Sequence, residues 1–311
     1  FKVSSLIVAI TGATGFIGKK LVERHLLKGD CVRTLTRKEK YSQSNVNIFI
    51  GDLSNPNVEL SSFIDGVDIL YHCAGEINNE SLMQKLHVSG TQRLVDAAQG
   101  KISRWVQLSS VGVYGACRDG TITEDSKEQP LGIYEQTKTE SDKIVKNSGI
   151  PYVILRPSNV FGNDMPNQSL RGLLHTVYRG LFFFIGKENK YLVNYIHVTD
   201  VVNALMCCGS NDKALGEVFN LSQLTTVEKM ITSFAFGMGS NKKILRLPEG
   251  IVRVVAGIFR HIPRFPLTSS RIDALTGHCE YDSSKIVNML DFKFGSTLEE
   301  RFSNFSSKEV L

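Results

Sequence analysis

Glycines at 12, 15 and 18, in the run "LIVAITGATGFIGKKLVERHLLKG", constrain the fold of this 311-residue chain more than any other feature. The apolar run before Gly12 reads as a strand, and residues 16 to 28 carry helical period. The glycines therefore stand at a strand-to-helix turn. There the first glycine permits the sharp exit from the strand, the second lets backbone approach a pyrophosphate, and the third lets the helix pack closely. The new helix presents free N–H groups and the positive end of its dipole to the same anion. Gly12, Thr14, Gly15, Phe16, Ile17 and Gly18 are accordingly candidates for binding a dinucleotide.

From residue 6 to about 160, continuously apolar runs ("LIVAIT", "CVRTLT", "NIFIGD", "VDILYHCAG", "RWVQLSSV", "YVILRP") alternate with segments of helical period. Such runs belong to a parallel sheet covered on both faces, so the pattern predicts an α/β, doubly wound Rossmann fold. Residues 1–160 are assigned to the dinucleotide-binding domain. Residues 161–311, where the pattern loosens, are assigned to a smaller mixed C-terminal substrate-binding lobe, partly interleaved with the main sheet.

Composition narrows the classes. With 42% hydrophobic and 22% charged residues and no low-complexity tract, the chain is expected to be compact and globular. Its net charge of +5 comes from scattered Lys and Arg rather than a basic block, which argues against a nucleic-acid partner. Cys31, Cys73, Cys117, Cys207, Cys208 and Cys279 show no metal-ligand spacing, so no metal is expected and reduced thiols in a cytoplasmic protein are. No apolar stretch is long enough to span a bilayer. The segment "GIVRVVAGIFRHIPRFPL" (250 to 267) is read as an amphipathic helix packed in a core or subunit interface, in preference to a membrane-surface helix.

The end of the second strand distinguishes NAD from NADP, because an acid there bonds the ribose hydroxyl whereas a base meets the 2′-phosphate. Here "CVRTLTRKEK" places Arg37 and Lys38 at that point, favouring NADP over NAD. After the third strand comes "GDL", where Asp52 can accept the adenine amino group beside Leu53.

"IYEQTKTESDKIV" sets Tyr134 and Lys138 four apart, on one helix face. An ammonium beside a phenol favours the phenolate and lowers its pKa from about 10, so the pair can act as general acid or base toward a carbonyl or carbinol oxygen. Upstream, "VQLSSVGVYG" ends an apolar strand in two serines, either able to hold that oxygen.

In order, "TGATGFIG", "GDL", "HCAG", "LSSVGVYG", "YEQTK", "LRPSNVFG" and "NYIHVTDVVNAL" resemble the extended short-chain dehydrogenase/reductase family of nucleotide-sugar epimerases, dehydratases and reductases. The resemblance runs from residue 6 to about 305 and ends in "YDSSKIVNMLDFKFGSTLEERF". It implies a triad of Ser110, Tyr134 and Lys138, with Ser110 preferred to Ser109 because it lies four residues before the tyrosine of "VYG". It further implies cofactor contacts at Cys73, Ala74, Gly75 and Pro157, with Ser158 nearby, and substrate contacts at Ser110, Asn159 and Arg271. A homodimer built on helices near 82 to 99 and 134 to 147 is also common in such proteins. Several positions depart from the pattern. His87 replaces an asparagine and is read as a packing residue, and His197 is read as a structural strand end. Val193 and Asn194 stand where an arginine that grips a diphosphate is often found. Glu76 lies at the expected mouth of the site, but no Asp-Glu pair adjoins Ser110, so a sugar dehydratase is not expected.

The expected function is an NADP-dependent reductase of a nucleotide-activated keto-sugar, of the 4-keto-6-deoxy hexose type. The alternatives are a UDP-hexose or UDP-N-acetylhexosamine 4-epimerase, and a reductase like those of dihydroflavonols or hydroxysteroids, with Phe182, Phe183 and Phe184 lining an apolar pocket. An intact triad speaks against a protein that only binds the cofactor.

Overall fold

A computed structural model describes residues 5–37, 45–117, 119–259 and 268–310. Lys38 lies outside them.

Seven parallel strands form one sheet. Five come first in the chain: β1 (Ile7–Thr11), β2 (Cys31–Thr36), β3 (Val46–Ile50), β4 (Ile69–His72) and β5 (Arg104–Leu108). The others are Tyr152–Pro157 and Glu217–Leu221. The spatial order is Glu217–Leu221, Tyr152–Pro157, β5, β4, β1, β2, β3. Every residue of β4 and β5 is buried, so their sequences show no alternation between an inner and an outer face.

Helix α1 (Phe16–Lys28) and the Val198–Ser210 helix cover one face, meeting Ile10, Val106 and Leu155 in a single core. The Thr91–Ala98 helix and the end of the Ile133–Asn147 helix cover the other, around Trp105, Leu70 and Phe63. α1 stops at Gly29, whose φ of 87° lets its N–H return to the carbonyls of His25 and Leu26. The order of strands reverses between β1 and β4, so a crevice opens at their carboxyl ends, where ligands bind in open sheets of this kind.

The second half of the chain is mixed. Glu217–Leu221 pairs with Tyr152–Pro157 in the large sheet. A three-stranded sheet joins Gln223–Thr226, Leu192–His197 and Asn159–Phe161, and a separate core forms around Phe161, Phe234, Phe302 and Phe305.

The segment expected to bury an amphipathic helix is covered on one side only. In the Glu249–Ile258 helix, Val252 and Ala256 are buried while Ile251, Val254 and Ile258 face outward. Phe182 is buried, Phe183 and Phe184 pack against neighbouring cores, and the Arg246 guanidinium lies 4.8 Å above the Phe184 ring.

Candidate active site

The glycine turn closes on the strand ends with no room to spare. Gly12 has φ 68°, and a Cβ there would stand 2.7 Å from the backbone of Cys73 and Ala74. A Cβ on Gly18 would stand 2.2 Å from the Gly12 carbonyl oxygen, so α1 lies directly on the turn. Gly15 caps α1 with no side-chain hydrogen bond, leaving the helix N–H groups pointing into the crevice mouth. The Phe16 and Ile17 side chains belong instead to the cores on either side, so any contact they make with an anion is through backbone.

One cleft collects Gly12, Thr14, Gly15, Arg37, Asp52, Leu53, Cys73, Ala74 and Gly75, with Glu76 at its edge. These residues fit a dinucleotide: side-chain-free backbone under a helix N-terminus, then a cation at the end of β2. Asp52 is partly spoken for, since its Oδ1 accepts from both the backbone N–H (2.8 Å) and the hydroxyl (2.7 Å) of Ser54. Burial pushes the Cys73 thiol up to about 12, so it acts as a small apolar wall. Pro157 ends its strand buried.

Tyr134 and Lys138 share a face of the Ile133–Asn147 helix, next to the end of β5. Ser110 Oγ accepts from the Gly112 N–H at 3.1 Å and is hydrogen-bonded to Tyr134. The lysine is buried, and its ammonium donates to the Leu108 carbonyl at 2.6 Å. The lowering of the tyrosine pKa expected from this pair is reversed. Burial, followed by the charges of Glu135 and Asp142, pushes Tyr134 up to about 12 against the pull of the Ser110 bond. Burial also lowers Lys138.

His87 is more than packing. The Glu76 backbone N–H donates to its Nε2 at 2.8 Å, so that nitrogen carries no proton and Nδ1 must. Nδ1 then donates to Thr137 Oγ1 at 2.8 Å, and the Thr137 hydroxyl passes its own proton to the Ile133 carbonyl at 2.9 Å. Burial, then the Lys138 ammonium, lowers His87 to about 3. Neutral at physiological pH, it ties the cleft-edge loop to the helix that carries Tyr134. This histidine sits in a π-helical stretch, Gln84–Gly90, of a kind often found at functional sites.

Sequence reasoning missed the buried ionic network behind the triad. Ser109 Oγ donates to Asp142 Oδ2 at 2.8 Å, and Arg156 donates to the same oxygen at 3.0 Å. Arg156 also donates to Tyr114 Oη at 3.0 Å, whose own proton goes to Asn220 Oδ1 at 2.9 Å. The two serines of "LSS" thus divide their work, Ser109 anchoring the helix and Ser110 facing Tyr134. A signal was present: Asp142 follows Lys138 by four residues, on the same helix face.

The remaining candidates lie in the second half. Asn159 is exposed and donates to the Asn194 carbonyl at 3.2 Å. Arg271 is exposed on the short Ser269–Leu275 helix. Asn194, where an arginine was expected, bridges strands by donating to the Cys279 carbonyl (2.7 Å) and accepting from the Tyr281 N–H (3.1 Å). His197 caps the next helix, its Nδ1 accepting from the Thr199 N–H at 3.3 Å, and burial lowers it to about 4. All six cysteines are free thiols.

Comparison with known proteins decides the family, because the model of the NAD dependent epimerase/dehydratase family matches residues 8–222. The chain belongs to that family. As a family member it is an NAD(P)-dependent enzyme. The UDP-glucose 4-epimerase of Vibrio cholerae is 25% identical, covering 95% of this chain and 93% of that protein. The dTDP-6-deoxy-L-talose 4-dehydrogenase (NAD(P)(+)) of Kitasatospora kifunensis is 32% identical over 54% of this chain and 56% of its own length. Among solved structures, the UDP-glucuronic acid 4-epimerase of Bacillus cereus in complex with NAD superposes with a TM-score of 0.75 at 20% identity, covering 98% and 96% of the two chains. The family fold thus spans essentially all of the protein.

Proposed function

We propose that this family member is an NADP(H)-dependent reductase of a nucleotide-activated keto-sugar, of the 4-keto-6-deoxy hexose type. The observation that supports this reading is Arg37, a cation lining the cleft at the end of β2, where the 2′-phosphate of NADP(H) would lie. Tyr134, held protonated, can give a proton to a carbonyl oxygen.

In this reading the backbone of Gly12, Thr14 and Gly15 and the N–H groups of Phe16 and Ile17 take the pyrophosphate. Arg37 takes the 2′-phosphate, its planar fork suiting that group. Asp52 and Leu53 meet the adenine, and Cys73 to Gly75 and Pro157 flank the cofactor. The bound dinucleotide supplies the hydride. Ser110 holds the substrate carbonyl oxygen, Tyr134 gives that oxygen its proton, and Lys138 presents its remaining N–H donors to a ribose hydroxyl. Asn159 and Arg271 contact the nucleotide portion of the substrate. The NAD(P)-linked sugar dehydrogenase of Kitasatospora kifunensis supports the reaction class.

The experiment is NADPH oxidation followed by absorbance with UDP- and dTDP-4-keto sugars, repeated with NADH. Net oxidation with preference for NADPH is expected. In the Arg37→Ala variant the KM for NADPH should rise about tenfold or more while that for NADH changes little. Equal effects on both would remove the NADP assignment.

The second reading is a nucleotide-sugar 4-epimerase, favoured by the Vibrio cholerae relative that matches nearly the whole chain. Interconversion of UDP-hexoses without net NADPH loss would select it.

A further inference from the structure

The Glu249–Ile258 helix wears apolar side chains on both sides. Val252 and Ala256 pack against Ile185 and Ile272, whereas Ile251, Val254 and Ile258 are 58%, 62% and 67% exposed. At 3.6 residues per turn, those three fall within about 60° of one another. The adjoining strand Leu245–Leu247 adds Leu245, 71% exposed, and Leu181 projects from the turn beside it at 67%. Exposed apolar side chains gathered on one helix face mark an interaction site.

Charge shows what covers it. The chain has 36 Lys and Arg against 31 Asp and Glu. Residues 240–267 hold six of the former and one of the latter, so the rest of the chain balances at 30 of each. Within that segment Arg246 pairs with Glu228 and Arg253 with Glu249 and Asp273, so among its described residues the cations outside these pairs are Lys242 and Lys243. Lys242 and Lys243 are exposed at its margin, the Lys242 ammonium donating to the Tyr178 carbonyl at 2.8 Å.

We infer that this face docks the protein reversibly on an anionic lipid surface, with Ile251, Val254 and Ile258 among the acyl chains and Lys242 and Lys243 at the lipid phosphates. A helix of 10 residues is about 15 Å long against a hydrocarbon core of about 30 Å, so it lies in the interface plane. A second copy of the chain fits poorly, because pairing two such faces would bring Lys242 and Lys243 of both copies together. A protein partner is disfavoured because Ile251, Val254 and Ile258 are aliphatic where interface centres favour aromatic anchors, and Phe259 at the helix end is only 38% exposed. Flexible lysine stems beside aliphatic side chains suit a lipid boundary, where the heads reach phosphate while the stems stay in the apolar layer. This docking goes beyond the reductase reading and is independent of it.

The test is sedimentation of the full chain with vesicles of phosphatidylcholine alone and of phosphatidylcholine with about one-third phosphatidylglycerol, at low and high salt. Binding to the anionic vesicles, weakened by salt, is expected. It should fall about tenfold or more in Ile251→Asn/Val254→Asn and in Lys242→Glu/Lys243→Glu. Both variants should keep the wild-type unfolding midpoint and turnover, since none of the four side chains is buried or in the cleft. Absence of binding to any vesicle, or equal binding by wild type and both variants, overturns the proposal. So does a concentration-dependent dimer that the Asn variant abolishes, because the face would then belong to a second copy.

Discussion

His87 meets Tyr134 edge to face, with ring centroids 5.7 Å apart and planes at 82°. The imidazole is neutral because its Nε2 must accept from the Glu76 N–H. His72, deeper in the sheet, is likewise lowered to about 3, chiefly by burial, between Thr11 and Thr91.

The sign of the resulting pH dependence follows from linkage. A histidine neutral in the fold but basic when unfolded binds fewer protons in the native state, so stability is lost as pH falls from about 6.5 toward 3. Each such group costs about 1.4 kcal/mol per pH unit in that window. Denaturant midpoints measured from pH 8 to pH 4 should fall, and His72→Gln should flatten the slope. An unchanged slope would mean that His72 is not held neutral.

Tyr134→Phe should lower turnover by about 10²- to 10⁴-fold while leaving dinucleotide affinity, read by fluorescence titration, nearly intact. The same pair of proteins gives a direct reading of the phenol. In an alkaline ultraviolet difference titration, wild type minus variant should show a tyrosine ionising well above the ordinary value of about 10. Reduction should therefore not slow through pH 9 on account of Tyr134, since the acid form persists there.

Asp142→Asn should destabilise the protein by about 3–5 kcal/mol, because it leaves the buried Arg156 guanidinium short of a counter-charge. Glu128 remains as a partner, so folding should survive at low temperature. Urea midpoints measure the loss, and a change within about 0.5 kcal/mol would show that the pair contributes little.

Gly18→Ala should shift α1 off the turn, since its Cβ would meet the Gly12 carbonyl oxygen 2.2 Å away. A cost of about 1–3 kcal/mol is expected, with a loss of dinucleotide affinity that exceeds the loss of stability. Gly29→Ala is the contrasting case. It has open space but a positive φ, so it should destabilise without weakening the dinucleotide.

The spacing of Gly12, Gly15 and Gly18, the apolar runs and the four-residue step from Tyr134 to Lys138 are local patterns, and period and backbone sterics make such patterns readable in one dimension. They sufficed to predict the doubly wound sheet, the strand-to-helix glycine turn and the helix face carrying the two residues. What the sequence could not contain was the balance of burial against charge. Tyr134 and Lys138 share a face, yet the phenol is raised because the packing around it excludes water and because the charges of Glu135 and Asp142 oppose its ionisation. The same holds for Ser109 and Ser110, identical neighbours whose separate partners are set by which side of the strand end each one faces. The Glu249–Ile258 helix makes the point from outside. Its amphipathic period was visible, but only the packing of Val252 and Ala256 decided which apolar side faces inward and which remains open.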